Sequence, residues 1–546
     1  MKNLKLLVVS VFFYSTVSVA QEELACANDI TINAGEDKFI ITPCRVLNLL
    51  NDGMLLTNTA FANGGTLTNN GALSNFGSLN NEFGSDLINN AYLENVWMLT
   101  NDGVLTNNDL LVNYDNLSNN GMLTNNSTLQ NFFTLINNRN LVNEGILINH
   151  LGLFNVSVGV LDNRNELIND IGGVFFNENI INNWGSFTNS DQFENSGYLF
   201  NIGGSILNEA MFVNEGIVAN GGDLTNEGTF VNNALLDNGE TLTNNGNLSN
   251  AGGIVNSGTF NNNTTLISSG GLVNNFTLNN RGTLTNDGEL INYGTLINED
   301  KLDSSDLLEN WGTLTNDGLL TNNGILDNFF ELNNNGTLIN EGTLTNNWTL
   351  INNGLVRSDS AIISNGLLGG DGTFESDIEV TGTLAAGNSV GMINIIGALD
   401  MFGTIETEIE SSTLYDMVQV DGQISLYDTT QFIFNLDDDY NALDGDTFGF
   451  MSATSFLFDG YINFDDFLTT NLSNFIVNNL NIDFEWLVRF DSNALFLDIS
   501  AIDQDGDNPD MPTSVDEPSI AFFILLSAIL LIYRKKTLNN RASELT

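Results

Sequence analysis

The sequence predicts an all-β fold, a parallel β-solenoid of triangular coils with about 18 residues each, and three observations carry that prediction. From Leu266 to Val356 every sixth residue is aliphatic, fifteen leucines followed by one valine. Two residues after each comes Asn or Ser, as in Leu284/Asn286, Leu290/Asn292 and Leu314/Asn316. At the place just after that Asn, aromatic residues recur every 18 positions at Tyr293, Trp311 and Phe329, and further upstream Tyr114, Phe132 and His150 keep the same spacing. A period of six does not hold one face of a 3.6-residue helix, so the repeat is read as extended chain.

Within one unit, such as Gly282-Thr-Leu-Thr-Asn-Asp287, side chains alternate. Leu284 therefore points inward with Gly282 and Asn286 beside it, while Thr283 and Thr285 point out. Asn-Asp-Gly and Asn-Glu-Gly at 316–318 and 340–342 are turn chemistry. Inward Asn at equivalent corners can hydrogen-bond up and down the stack, which satisfies polar groups that burial would otherwise orphan. Three hexads make a coil of 18, and Phe330 and Trp348 repeat that spacing one position later. One external aromatic ladder along one edge is the expectation from all three series. A flat ice-binding face is not expected, because Thr283, Thr313 and Thr343 are 30 apart and fall on three different sides.

The frame runs unbroken from Leu87 to Leu153 and resumes after eight-residue steps at Leu79–Leu87, Leu153–Leu161 and Leu167–Phe175, read as loops bulging from a corner. The roughly sixteen coils of the hexad region, stacked at about 4.8 Å, predict a rod of about 75 Å. The repeat occupies 51–365, after an amino-terminal cap at 21–50 whose Cys26 and Cys44 are also 18 apart. Stacked one above the other in the first coils, these two would staple the exposed end as a disulfide; two buried free thiols are the alternative. Residues 366–410 carry looser, Gly-rich irregular coils, and 411–502 alternates apolar and polar residues as a β-rich capping domain that closes the second open end.

Composition narrows the function. With 14 Lys+Arg against 67 Asp+Glu, a formal charge of −53, phosphate neutralisation is excluded and no nucleic-acid partner is expected. Lys2 and Lys5, the apolar run from Leu6 to Val19 and Ser18-Val19-Ala20 make 1–20 a secretory signal peptide. At 520–536 an uncharged run from Ile520 to Tyr533 ends in Arg534-Lys535-Lys536, a transmembrane or sorting helix with a basic cluster, followed by a cytoplasmic tail at 537–546. Residues 503–519 form an acidic linker. Asp503, Asp505, Asp507 and Asp510 there are spaced as calcium ligands are, but without the Glu of an EF-hand, so a solvated linker is the competing reading. Calcium is the only cofactor the sequence suggests. Asp437-Asp438-Asp439 reads as a hairpin turn.

Asp516-Glu517-Pro518-Ser519, the hydrophobic segment and the terminal basic cluster together resemble the tripartite tail of the PEP-CTERM family, with Asp516 where the family has its first proline. The resemblance covers about the last thirty residues. It implies a Gram-negative bacterium, handling by an exosortase-type enzyme through the motif at Glu517 and Pro518, a membrane anchor before processing, and residence at the cell surface or in an exopolysaccharide matrix. The Leu-x-Asn hexads resemble autotransporter-like surface proteins. Gly382 to Gly391 and Tyr415-Asp416, Asp444 to Phe448 and Trp486 resemble the last coils and closing β-domain of such proteins. The expected function is therefore a non-enzymatic structural or adhesive surface protein, with Tyr293, Trp311 and Phe329 as candidates for stacking on sugar rings. The alternative is a polysaccharide-active β-helix lyase or hydrolase, built on paired carboxylates. His150 is the only histidine, which leaves it a packing role in its ladder.

Overall fold

The computed structural model describes residues 22–387 and 390–502. It is a parallel β-solenoid of about 21 turns with successive turns about 18 residues apart, 64% strand and 2% helix. At about 4.8 Å per turn the rod is about 100 Å long, since stacking continues well past the hexads.

One coil shows how the hexad builds it. Thr277–Asn280, Thr283–Asn286 and Glu289–Asn292 form three short strands, here called faces A, B and C, and Thr295–Asn298 begins the next coil on face A. Leu278 pairs with Leu296, Leu284 with Leu302 and Leu290 with Leu308, all parallel and in register. The step of 18 therefore returns each leucine onto a leucine, and these side chains are fully buried. Gly282 is needed where the chain enters face B, because a Cβ there would lie 2.0 Å from the carbonyl oxygen of Thr264 in the turn below. Thr283, Thr313 and Thr343 begin strands on faces B, A and C, so no flat threonine face is formed.

The inward Asn of each strand bonds along the rod. Asn292 Nδ2 donates to Asn310 Oδ1 at 2.8 Å, to the Thr313 carbonyl at 3.0 Å and to the Gly294 carbonyl at 3.1 Å. Asn286 apart, such amides donate to the next turn toward the carboxyl-terminal end, as in Asn214 to Asn232 and Asn256 to Asn274, each at 2.7 Å. Burying an amide costs free energy unless its groups are paired, and this ladder pairs them at each corner. On face B it is interrupted where Ser replaces Asn. Around Ser268 and Ser304, three fully buried oxygens, Asn286 Oδ1, Ser304 Oγ and Asn322 Oδ1, have no protein partner.

The eight-residue steps are corner turns, with Gly84 and Gly172 in the left-handed region at φ 79° and 91°. Past the second of these the face-B core turns aromatic: Phe175, Phe193, Phe212 and Phe230 lie on successive coils, the last two stacked at 4.3 Å. The hexad pattern shows an apolar residue at each of these places but not the resulting internal ring stack.

Both ends of the described chain depart from the regular coil. Glu22–Glu23 pairs with Lys38 and Phe39, and Cys26 and Cys44 form a disulfide with Cα atoms 5.7 Å apart. Cys44 stands directly below Phe61 at the start of face B. Beyond 411 the columns do not break, since Thr404–Ser411 pairs in parallel with Gln431–Leu436 and that strand with Phe475–Asn478. Two strands reverse direction: Leu414–Tyr415 pairs antiparallel with Thr404–Ser411, and Ala494–Ala501 pairs antiparallel with Thr447–Phe458 and Phe484–Asp491. The helix Phe464–Asn471, capped by Asn463, packs Phe464 and Phe467 against Phe458. Asp437–Asp439 makes a turn, with Asp439 N donating to Asp437 Oδ1, but it joins parallel strands and not the two arms of a hairpin.

Candidate functional site

At each corner the residue after the inward Asn projects outward, and its counterpart one coil later sits directly above it. Tyr293 N donates to the Asn274 carbonyl, Trp311 N to Asn292 and Phe329 N to Asn310, which places the three on consecutive turns at the edge between faces C and A. In stretches of that edge, side chains pair with their counterparts one turn away. Asn70 donates to Asp52, Asn90 to Asn70, Asn108 to Asn90 and Asn126 to Asn108, each at 2.7 Å. Arg164 then pairs with Glu144 at 2.6 Å, Asn365 donates to Asn347, and Phe402 stacks on Tyr427 at 3.9 Å.

Trp311 and Phe329 stack in the same way, 4.1 Å between centroids and 15° between planes. Their adjoining faces are closed to a ligand, and the indole N–H of Trp311 donates to Glu309 at 2.9 Å. Tyr293, 53% exposed, has no such ring partner. The next position along the chain is usually Gly, because a Cβ at Gly294 or Gly312 would lie 2.0 Å from a carbonyl of the turn below. On this edge Phe276, Phe330 and Trp348 take that place instead and are 59%, 44% and 57% exposed. Six aromatic residues thus line one edge across five turns, three of them outside the trio named from the repeat. The 18-residue step from Phe330 to Trp348 was the signal for two; Phe276 has the same step only when its two Gly-filled intervening turns are counted.

Tyr114, Phe132 and His150 stand on a different edge, between faces A and B, which corrects the expectation of one aromatic ladder. Tyr114 and Phe132 are 5.2 Å apart, Phe132 and His150 4.4 Å, and His150 Nδ1 lies 2.9 Å from Asp170 Oδ2 on the following turn. The reason is the frame. Between Tyr114 and Tyr293 the enlarged steps after Leu153, Leu167 and Leu199 insert five residues in all, and what remains is 29 hexads, not a multiple of three.

At the edge between faces B and C, a shallow polar groove of about 320 Å³ is lined by Arg357, Asp359, Glu375 and Asp377, where Arg357 is held by Glu375. Asp416 is buried in the closing region and accepts from the backbone N–H of Gly391 at 2.8 Å and of Glu408 at 2.7 Å; burial pushes its carboxyl up to about 7. Among the described residues no group of three or more His, Cys, Asp or Glu is placed to hold a metal ion. The calcium candidates Asp503, Asp505, Asp507 and Asp510, the motif at Glu517 and Pro518, the signal peptide and the hydrophobic segment lie outside the described residues. No known protein family matches the sequence, and no curated protein does.

Proposed function

We propose that this chain is an exported, non-enzymatic structural or adhesive protein of a bacterial surface or exopolysaccharide matrix. The observation that carries the reading is the edge itself. In three stretches, 52–126, 144–164 and 347–381, outward residues of this edge bond to their own counterparts one turn away, which makes the rod a spacer that holds an aromatic strip away from its ends. The disulfide at the amino-terminal cap accords with an oxidising compartment. Sorting by an exosortase-type enzyme, with transient anchoring through 520–536, is the route the tail motif suggests.

The test is a screen of the purified mature chain against neutral and acidic polysaccharides. Retention without cleavage supports a scaffold or adhesin. New reducing or unsaturated ends would replace this reading with a lyase or hydrolase. The terminal mass of the protein recovered from cells tests the route separately: loss of everything after Pro518 is expected, and an intact tail at the surface contradicts sorting.

A further inference from the structure

The aromatic edge between faces C and A, taken with the charge around it, points to one class of ligand. We propose that the strip from Phe276 to Trp348 binds a neutral polysaccharide and rejects acidic ones. This rests on the adhesive reading above and goes beyond it by naming the polymer.

The ring geometry selects the contacts. A sugar ring presents C–H groups on its faces and hydroxyls at its rim, so it needs an open aromatic face and nearby hydrogen-bond acceptors. Trp311 and Phe329 spend a face each on one another. Tyr293, Phe330, Trp348 and Phe276 are in no ring stack and, at between 44% and 59% exposed, supply open aromatic surface on both sides, whereas Trp311, 46% exposed, keeps only its outer face. From Phe276 to Trp348 the edge climbs four turns, about 19 Å, so the ligand that matches it is a chain of several sugars and not a single one.

The electrostatics select the polymer. Between residues 276 and 348 there are eleven Asp and Glu and two cations, Arg281 and Lys301. Arg281 is paired with Glu299, and Lys301 with Asp303. No cation in this stretch is left over for a uronate or sulfate, and an acidic polymer would be repelled by the field of the surface. For a neutral polymer the same carboxylates are useful. Asp327 and the Glu331 carboxylate, one of whose oxygens already accepts from Asn333, lie on the strands to either side of Phe329 and Phe330 as outward-facing acceptors for hydroxyl donors, and ionised acceptors make the stronger hydrogen bonds.

Affinity electrophoresis of the mature protein tests this, with gels containing hydroxyethylcellulose or laminarin in one arm and alginate or polygalacturonate in the other. Retardation is expected only in the neutral arm and should persist in added salt. Combining Trp348→Ala with Phe330→Ala should weaken it about tenfold, the loss of roughly 1.4 kcal/mol of contact. Circular dichroism of that variant should match the parent. Retardation in the acidic arm alone, or neutral retardation that the double variant leaves unchanged, overturns the inference while leaving an adhesive role standing. Retardation by no polymer in either arm overturns both.

Discussion

Asn310 and Trp311 are neighbours in sequence and opposites in what the fold asks of them. Asn310 points inward, fully buried, and takes part in an amide column that admits almost nothing else: on its face every member from Asn51 to Asn346 is Asn, and Ser364 follows. Trp311 points outward, 46% exposed, on a column whose other members include Asn, Asp, Glu, Arg, Thr and Phe. Both columns repeat every turn. The inner one must pair in a dry interior, whereas the outer one has water as an alternative partner. A strict column therefore records a constraint of folding, and a permissive one is where chemistry can vary without loss of the rod.

That contrast can be broken experimentally, and the largest effect is expected inside. Asn310→Leu leaves the acceptor of Asn328 unpaired, strips a donor from the Glu331 carbonyl and takes one of three acceptors from the Asn292 amide, and should cost about 4 kcal/mol of local stability, since a buried unsatisfied group costs roughly 1–3 kcal/mol and the lost hydrogen bonds add to it. Removing the terminal staple by Cys44→Ala should cost about 3 kcal/mol for a loop of this size, seen as rapid amide exchange confined to the first turns.

A pH titration probes the other end. The Asp416 carboxyl, pushed up to about 7 by burial, keeps its proton in the folded chain where the unfolded chain, near 3.8, gives it up. Its contribution is thus complete below about pH 4 and is lost as pH rises through about 7. Thermal unfolding of the closing region should fall across that window, and Asp416→Asn should flatten the dependence.

Smaller again is the repair of the ladder. Ser304→Asn restores an amide between Asn286 and Asn322, and should raise stability by about 1 kcal/mol, measured as slower exchange in the neighbouring turns. The smallest effect belongs to the edge. Trp311→Asn exchanges one half of a ring stack for a residue that the same column uses elsewhere, and should shift stability by less than about 1 kcal/mol.

Much of this architecture was legible from the chain, because the constraint that makes it also makes the pattern. A buried leucine every six residues and an Asn two later announce three inward corners per 18, and the spacing of Cys26 and Cys44 gives their pairing. What was not legible follows from the same physics. Insertions at corners cost the rod little, so they shift the phase silently, and two aromatic series that share a spacing fall on different edges. Phe175, Phe193, Phe212 and Phe230 occupy leucine sites without breaking the period, so the interior ring stack is invisible to a count of apolar residues. The carboxyl-terminal strands lack the hexad, yet continue the same faces, because backbone pairing to an existing column does not require it. The candidate site was half visible: spacing gave the ladder, but only the structure shows that Trp311 and Phe329 stack on one another while Phe276, Phe330 and Trp348 stand beside them exposed and without a ring partner.

Hydrogen exchange on Asn310→Leu and Trp311→Asn, compared in the full mature chain, tests the division between inner and outer columns most directly. The predicted result is loss of protection over several turns either side of residue 310 in the first variant and near-parental protection in the second. Equal losses in the two, or a larger loss in Trp311→Asn, would contradict it.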